Sequence, residues 1–318
     1  MDSAAKIYVA GNRGLVGSAI ERRLVEGGFG NILTSDRQDF DLTDPVATEQ
    51  FFAREKPEYV FVAAAKVGGI HANDTYPADF IRINLQIQTN IIDAAHRHGV
   101  RKLLFLGSSC IYPRVTPQPM KEEHLLTGKL EPTNDAYAIA KISGILMCKS
   151  YNRQHGTNFI AAMPTNLYGP RDNFDLENSH VIPAMIRKFH EAKIAGEESV
   201  ELWGTGSPRR EFLYVDDLAD ALVFLMERFD ATGDPAAEKM FVNVGTGVDV
   251  TIKELAELVR ETVGFEGEIV WNTSMPDGMM KKLLDVSALT ELGWRASHSL
   301  EQGLKKAYAW YGAQVGEG

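Results

Sequence analysis

Near its N-terminus the chain runs Lys6-Ile7-Tyr8-Val9-Ala10, then Gly11-Asn12-Arg13-Gly14-Leu15-Val16-Gly17, then a helical pattern from Ser18 to Glu26. An apolar β-rich run, a glycine turn and a helix, in that order, leave few choices of fold. Glycines there permit a tight turn, a close approach of backbone to pyrophosphate and close packing of helix on strand. The helix N-terminus offers unpaired N–H groups to phosphate oxygens. The spacing is Gly-x-x-Gly-x-x-Gly, not Gly-x-Gly-x-x-Gly, so the expectation rests on placement between strand and helix.

The alternation continues. Asn31–Ser35, Tyr59–Ala65, Lys102–Leu106 and Asn158–Met163 read as strands, and nearly unbroken apolar runs suit parallel strands buried on both faces. Helices are expected from about Asp39 to Glu55, Phe80 to His98 and Asn134 to Gln154, with a charged, proline-bearing loop, Arg114 to Thr133, lying over the ligand. Past Pro170 the alternation breaks. A helix over Val181–Ala195, strands at Val200–Gly204 and Phe241–Val244, and a helix over Leu218–Phe229 follow. Thr251 caps a helix to Val263, and shorter helices span Val286–Leu292 and Ser299–Tyr311. The expected fold is α/β: a doubly wound parallel Rossmann sheet with a smaller C-terminal α+β lobe. Residues 1–170 plus about 211–246 would hold the dinucleotide, and about 171–210 plus 247–318 the substrate.

Asp36 and Arg37 end the second strand. An acid there takes the ribose hydroxyls of NAD, whereas an arginine accommodates a 2′-phosphate. Arg13 adds a second guanidinium, and two tip the choice to NADP. The net charge of −10 argues against nucleic acid or an acidic membrane as partner. The two cysteines, Cys110 and Cys148, have no metal-ligand spacing, so no metal is expected and a reducing compartment is. No apolar run reaches membrane-spanning length, and the strand begins at Lys6 with no secretory pattern before it. A soluble, cytosolic protein is expected.

Tyr137 and Lys141 lie four residues apart on a helix and so share a face. A free phenol titrates too high to exchange protons readily at neutral pH, and a nearby ammonium should lower it. Ser108, leaving the preceding strand end, could hold a substrate carbonyl oxygen against that phenol. Cys110, two residues on, is either a small buried hydrophobe or a base; a thiolate would need a cation, which His180 or Lys141 could supply. His180 titrates near neutrality and could return protons as an acid. Trp203, beside Gly204, suits packing or stacking equally, and Arg210 has the fork that matches diphosphate oxygens.

Together these stretches resemble the extended short-chain dehydrogenase/reductases that act on nucleotide sugars. The residues that carry the likeness are Ala63–Ile70, Leu106–Pro113, Glu131–Asn134, Tyr137–Lys141, Met163–Gly169 and Asn178–Pro183. Ser-Ser-Cys-Ile-Tyr-Pro and Asn-Ser-His-Val-Ile-Pro point to the branch that epimerises and reduces GDP-4-keto-6-deoxy sugars. The resemblance implies an NADPH-dependent 3,5-epimerase and 4-reductase. In it Ser108, Tyr137 and Lys141 form the reductase triad, Cys110 removes the C3 and C5 protons, and His180 returns them.

It further implies that NADPH is held by Gly11, Asn12, Arg13, Gly14, Leu15, Val16 and Gly17, by Arg37, Gln38, Asp39, Phe40, Asp41 and Leu42, and by Leu106, Gly107, Ser108 and Ser109. Lys141, Pro164, Thr165, Asn166, Leu167 and His180 complete that set. Lys188, Trp203, Arg210 and Asp277 would hold the GDP-sugar, and a homodimer would form through the helices Phe80–His98 and Tyr137–Gln154. Departures are Asn12 and Tyr214, where the family has His, Lys188 for Arg, and Met279-Met280-Lys281 for Thr-Pro-Arg. A 4-epimerase or dehydratase is the alternative within enzymes, although Ser109-Cys110-Ile111 lacks a dehydratase's acids. A non-catalytic NADP sensor is the alternative outside them.

Overall fold

The computed structural model describes residues 1–35, 40–176, 179–231, 241–275 and 277–316. Arg37, Gln38 and Asp39, expected at the cofactor, and Asn178 and Pro276 lie outside the described residues. In chain order the elements are β1 (Ile7–Ala10), α1 (Leu15–Glu26), β2 (Ile32–Thr34), α2 (Pro45–Glu55), β3 (Tyr59–Val62), α3 (Ile70–Thr75), α4 (Pro77–Arg97), β4 (Lys102–Leu106), α5 (Asp135–His155), β5 (Phe159–Pro164) and β6 (Asn166–Tyr168). There follow α6 (Val181–Ala195), β7 (Ser199–Trp203), β8 (Arg209–Tyr214), α7 (Val215–Arg228), β9 (Phe241–Val244), β10 (Asp249–Thr251), α8 (Ile252–Val263), β11 (Glu268–Asn272), β12 (Lys281–Lys282), α9 (Ser287–Glu291) and α10 (Leu300–Val315).

Six strands form a parallel sheet in the order β2-β1-β3-β4-β5-β9. The five strands inward of β2 are buried along their whole length, which is why their sequences do not alternate. One apolar layer joins one face of the sheet to α1 and α7, and a second joins the other face to α2, α4 and α5. The strand order reverses between β1 and β3, so a crevice opens beyond their carboxyl ends, where ligands of such sheets bind.

A third apolar cluster, built from β6, α6, β7, β8, α8 and α10, supports the smaller sheets. There β8 pairs with β10, β12 and β6, and β11 pairs in parallel with β7.

The helix expected from Asp39 begins instead at Pro45. The Asp44 carboxylate accepts from the Val46 and Ala47 amides, and Pro45 takes the first helical position, where its missing N–H costs nothing. Thr251 caps α8 as expected, in a reciprocal box with Glu254.

Candidate functional site

The glycine turn leaves β1 at the crevice. Gly11 has φ +86°, and a Cβ on it would meet the Ala64 backbone at 2.8 Å. A Cβ on Gly17 would lie 2.1 Å from the Gly11 carbonyl oxygen. Both positions therefore exclude side chains, and Gly14 caps α1, whose first amides have no partner within the helix. Asn12 leaves a buried, unpartnered Oδ1 in this cradle. Such a turn fits a dinucleotide diphosphate.

Of the remaining residues expected there, Leu106, Gly107 and Ser109 leave the end of β4, and Pro164 ends β5. Thr165 and Asn166 bond the Glu211 carbonyl at 3.2 and 2.8 Å, and Leu167 lies within β6. Phe40 stacks near Phe51, Asp41 accepts from the Thr43 amide, and the Leu42 carbonyl accepts from Asn90. Apart from Lys141 on α5 and His180 at the start of α6, the described members lie in the glycine turn, at or just after the ends of β4 and β5, or in the loop between β2 and α2.

Two turns of chain bring the reacting groups together. Gly107 lets β4 end against Met163; a Cβ there would lie 2.2 Å from its Sδ. Ser108 then caps a short 3₁₀ turn over Ser109–Ile111, which carries Cys110. Facing it, α5 presents Tyr137 and Lys141 one turn apart. Ser108 Oγ accepts from the Cys110 amide at 3.5 Å, and its hydroxyl is near enough to the Tyr137 phenol and the Cys110 thiol to favour their ionised forms. Phe80 packs edge-on against the Tyr137 ring, with centroids 6.1 Å apart.

The expected acidic phenol is not what forms. Burial, then the charge of Cys110, push Tyr137 above its ordinary value, and Ser108 only partly opposes this. The reason is where the lysine points. Lys141 is buried, donates to the Leu106 carbonyl at 2.7 Å, and lies 4.9 Å from the Phe105 ring centroid and 5.7 Å from that of Tyr137. Burial pushes its ammonium down to about 8. The phenol is therefore fully protonated at neutral pH, which suits a proton donor.

Cys110 is 8% exposed, and burial raises its thiol. The cations that oppose this are Lys282 first and Lys141 after it; His180, expected to serve, is not among them. His180 stands at the N-cap of α6, reachable by water but ringed by protein. That enclosure, then Lys282, push its imidazole below the ordinary value, and a helix N-terminus likewise disfavours a cation. The neutral form prevails at pH 7, so the acid expected of His180 is there as a minority imidazolium.

The residues expected at the substrate fall on the second lobe. Trp203 is 61% exposed, which removes a packing role, and Lys188 Nζ lies 5.8 Å above its ring while donating to the Glu201 carbonyl. Asp277 closes the next turn, accepting from the Thr205 amide and hydroxyl at 2.7 and 2.8 Å. Arg210 is half-buried on β8, and Lys282 is its register partner on β12. Among the described residues neither cation pairs with a carboxylate, an arrangement that favours anionic oxygens.

Sequence reasoning missed Lys282 and Glu211. Lys282 follows the Met279–Lys281 departure in a two-residue strand with no periodicity to betray it. Glu211 is fully buried and accepts from the amides of Thr246, Gly247 and Leu284.

A dinucleotide crevice beside a Ser-Tyr-Lys constellation defines a class, and the family comparison agrees. The chain belongs to the NAD dependent epimerase/dehydratase family, whose model matches residues 7–245. It is 60% identical over 310 residues to GDP-L-fucose synthase 1 of Arabidopsis thaliana, spanning 98% of this chain and 94% of that protein. Among solved structures, a GDP-6-OMe-4-keto-L-xylo-heptose reductase from C. jejuni superposes with a TM-score of 0.94 at 41% identity, covering 99% of each chain. A GDP-mannoheptose C4 reductase from Campylobacter jejuni with NADP bound superposes at 0.89, also 41% identical, covering 98% of this chain and 99% of that one.

Proposed function

We propose that the protein converts GDP-4-keto-6-deoxy-D-mannose to GDP-L-fucose by 3,5-epimerisation followed by 4-reduction. The observation that carries this is that the turn bearing Ser108 and Cys110 faces Tyr137 on α5, close enough for the three groups to act on one another's protons. A base and a proton donor thus share one carbonyl-sized site. C–H bonds on either side of a 4-ketone are acidic, and their removal gives an enolate at O4. Ser108 and Tyr137 aim donors at that oxygen, which stabilises the charge where it develops. Cys110 as thiolate takes the C3 proton and His180 returns one to the opposite face; the same exchange follows at C5.

NADPH, when bound, supplies the hydride for C4. Tyr137 protonates O4 as that bond forms, and Lys141 holds the nicotinamide ribose and keeps the phenol in place. Gly11 to Gly17, the segment Arg37 to Leu42, Leu106 to Ser109 and Pro164 to Leu167 bind the cofactor. Lys188, Trp203, Arg210 and Asp277 hold the GDP-sugar, Arg210 on the diphosphate.

In this reading residues 1–170 with about 211–246 serve the cofactor and the remainder serves the substrate. The protein acts in the cytosol; among the described residues no helix is long and apolar enough to cross a membrane. It pairs as a homodimer through α4 and α5, whose outer face exposes Ile139 and Leu146.

The deciding experiment mixes the protein with GDP-4-keto-6-deoxy-D-mannose and NADPH and identifies the sugar by NMR. GDP-L-fucose with stoichiometric NADPH loss is expected. A product inverted at neither C3 nor C5 would leave a plain C4 reductase. Turnover without NADPH loss would point to a 4-epimerase or dehydratase.

A further inference from the structure

Beside the reacting centre stands a second ammonium, that of the half-buried Lys282. It lines, with Cys110, Ser109, Glu131, Asn134 and Met279, a small cavity of about 20 Å³. That is room for one water-sized group, and the walls are polar enough to hold one: Asn134 turns a buried, unpartnered Oδ1 among them.

The backbone that carries Lys282 is held firmly in place. It pairs with Arg210 on β8. The next two residues are tied on both sides: the Leu283 amide donates to Gln118 at 2.9 Å and the Leu284 amide to Glu211 at 3.0 Å. The Met120 amide donates to the Leu283 carbonyl at 2.8 Å, and Asn243 donates to the carbonyls of Met120 and Asp285. A two-residue strand is thereby held in register by three separate segments.

The charged groups facing Cys110 can be weighed in turn. From α5 come Tyr137, neutral, and Lys141, whose ammonium is committed to the Leu106 carbonyl. From the loop before α5 comes Glu131, which Arg114 neutralises at 3.4 Å. From β12 comes Lys282, whose register partner is Arg210 and whose charge also reaches His180. Lys282 is the cation that acts most strongly on the sulfur.

We propose that Lys282 is the positioning residue that pairs with the Cys110 thiolate across this cavity, with Glu211 fixing the strand that delivers it. The thiol proton leaves to solvent and the charge left on sulfur is balanced by the ammonium; no bond to carbon changes. The same charge opposes protonation of His180, so one lysine favours the ionised form of the base and the release of the acid's proton.

This pairing rests on the reading of Cys110 as the base, and its test separates the two. In a Cys148→Ala background, which leaves one thiol, the pH dependence of iodoacetamide alkylation gives the Cys110 midpoint. Lys282→Gln should raise that midpoint by about one pH unit, slowing alkylation at pH 7.5 about tenfold. Lys282→Arg should restore most of it. Ethylammonium added to Lys282→Ala should lower the midpoint again. Coincident midpoints for Lys282→Gln and its parent, with NADPH binding intact, overturn the proposal. If Lys282→Gln does not fold, Lys282→Met and the ethylammonium arm decide in the same way. Solvent deuterium entering C3 and C5 at the normal rate in Cys110→Ser overturns the base assignment instead, whatever the midpoints show.

Discussion

The ammonium of Lys141 donates to the carbonyl of Leu106 at 2.7 Å, fastening α5 to the last residue of the strand that feeds Ser108. This bond explains why the lysine steadies the phenol without acidifying it. It also implies a stability cost, because an ammonium buried beside Phe105 is desolvated.

Lys141→Met should therefore stabilise the fold while abolishing reduction. An ammonium held at about 8 against an ordinary 10.5 costs the native state up to about 3 kcal/mol at neutral pH. Below pH 8 both states carry the proton and the cost is complete. Between pH 8 and about 10.5 the native state sheds its proton first, so wild-type stability rises and the gap closes. Urea midpoints of the two proteins across that range check both sign and window. A gap that widens with pH would refute it.

Tyr137→Phe removes the only proton proposed for O4 but leaves the ring against Phe80. NADPH oxidation should fall by about 10²–10⁴-fold, with NADPH affinity by fluorescence titration changed little. Undiminished turnover would mean that another group protonates O4.

Epimerisation should respond to pH on both sides. Burial raises Cys110 and enclosure lowers His180, so thiolate with imidazolium is a minority form at every pH. Its population is greatest between the two titrations and falls outside them. Deuterium wash-in at C3 should show a broad plateau across neutrality, with an acid limb below the ordinary histidine value and an alkaline limb above the ordinary thiol value. A narrow optimum confined to mildly acidic pH would contradict this pairing.

Glu211→Ala should lower stability by at least about 2 kcal/mol, because the buried amides of Thr246, Gly247 and Leu284 lose their acceptor. Hydrogen exchange at Leu284 should quicken with it. Chemical denaturation and exchange mass spectrometry would measure both, and an unchanged Leu284 amide would remove Glu211 from the support of β12.

Much of this molecule was legible in its residues. Strands buried on both faces write themselves as apolar runs, so β1, β3, β4, β5 and β9 could be read, and so could the glycine turn, because backbone contact forbids a Cβ at Gly17. That Tyr137 and Lys141 share a face was visible because helix geometry brings residues four apart together, and that Ser108 leaves a strand end followed from reading β4. What the chain alone could not reveal depends on long-range pairing. The strands β6, β10 and β12 are too short to show a period, and Lys282 reaches Cys110 only because β12 pairs with β8 from far along the chain. Charge states followed the same rule. A residue's type sets its ordinary proton affinity, but burial and neighbours from distant segments raised Tyr137, lowered His180 and Lys141, and chose Lys282 over His180 as the cation beside the thiol.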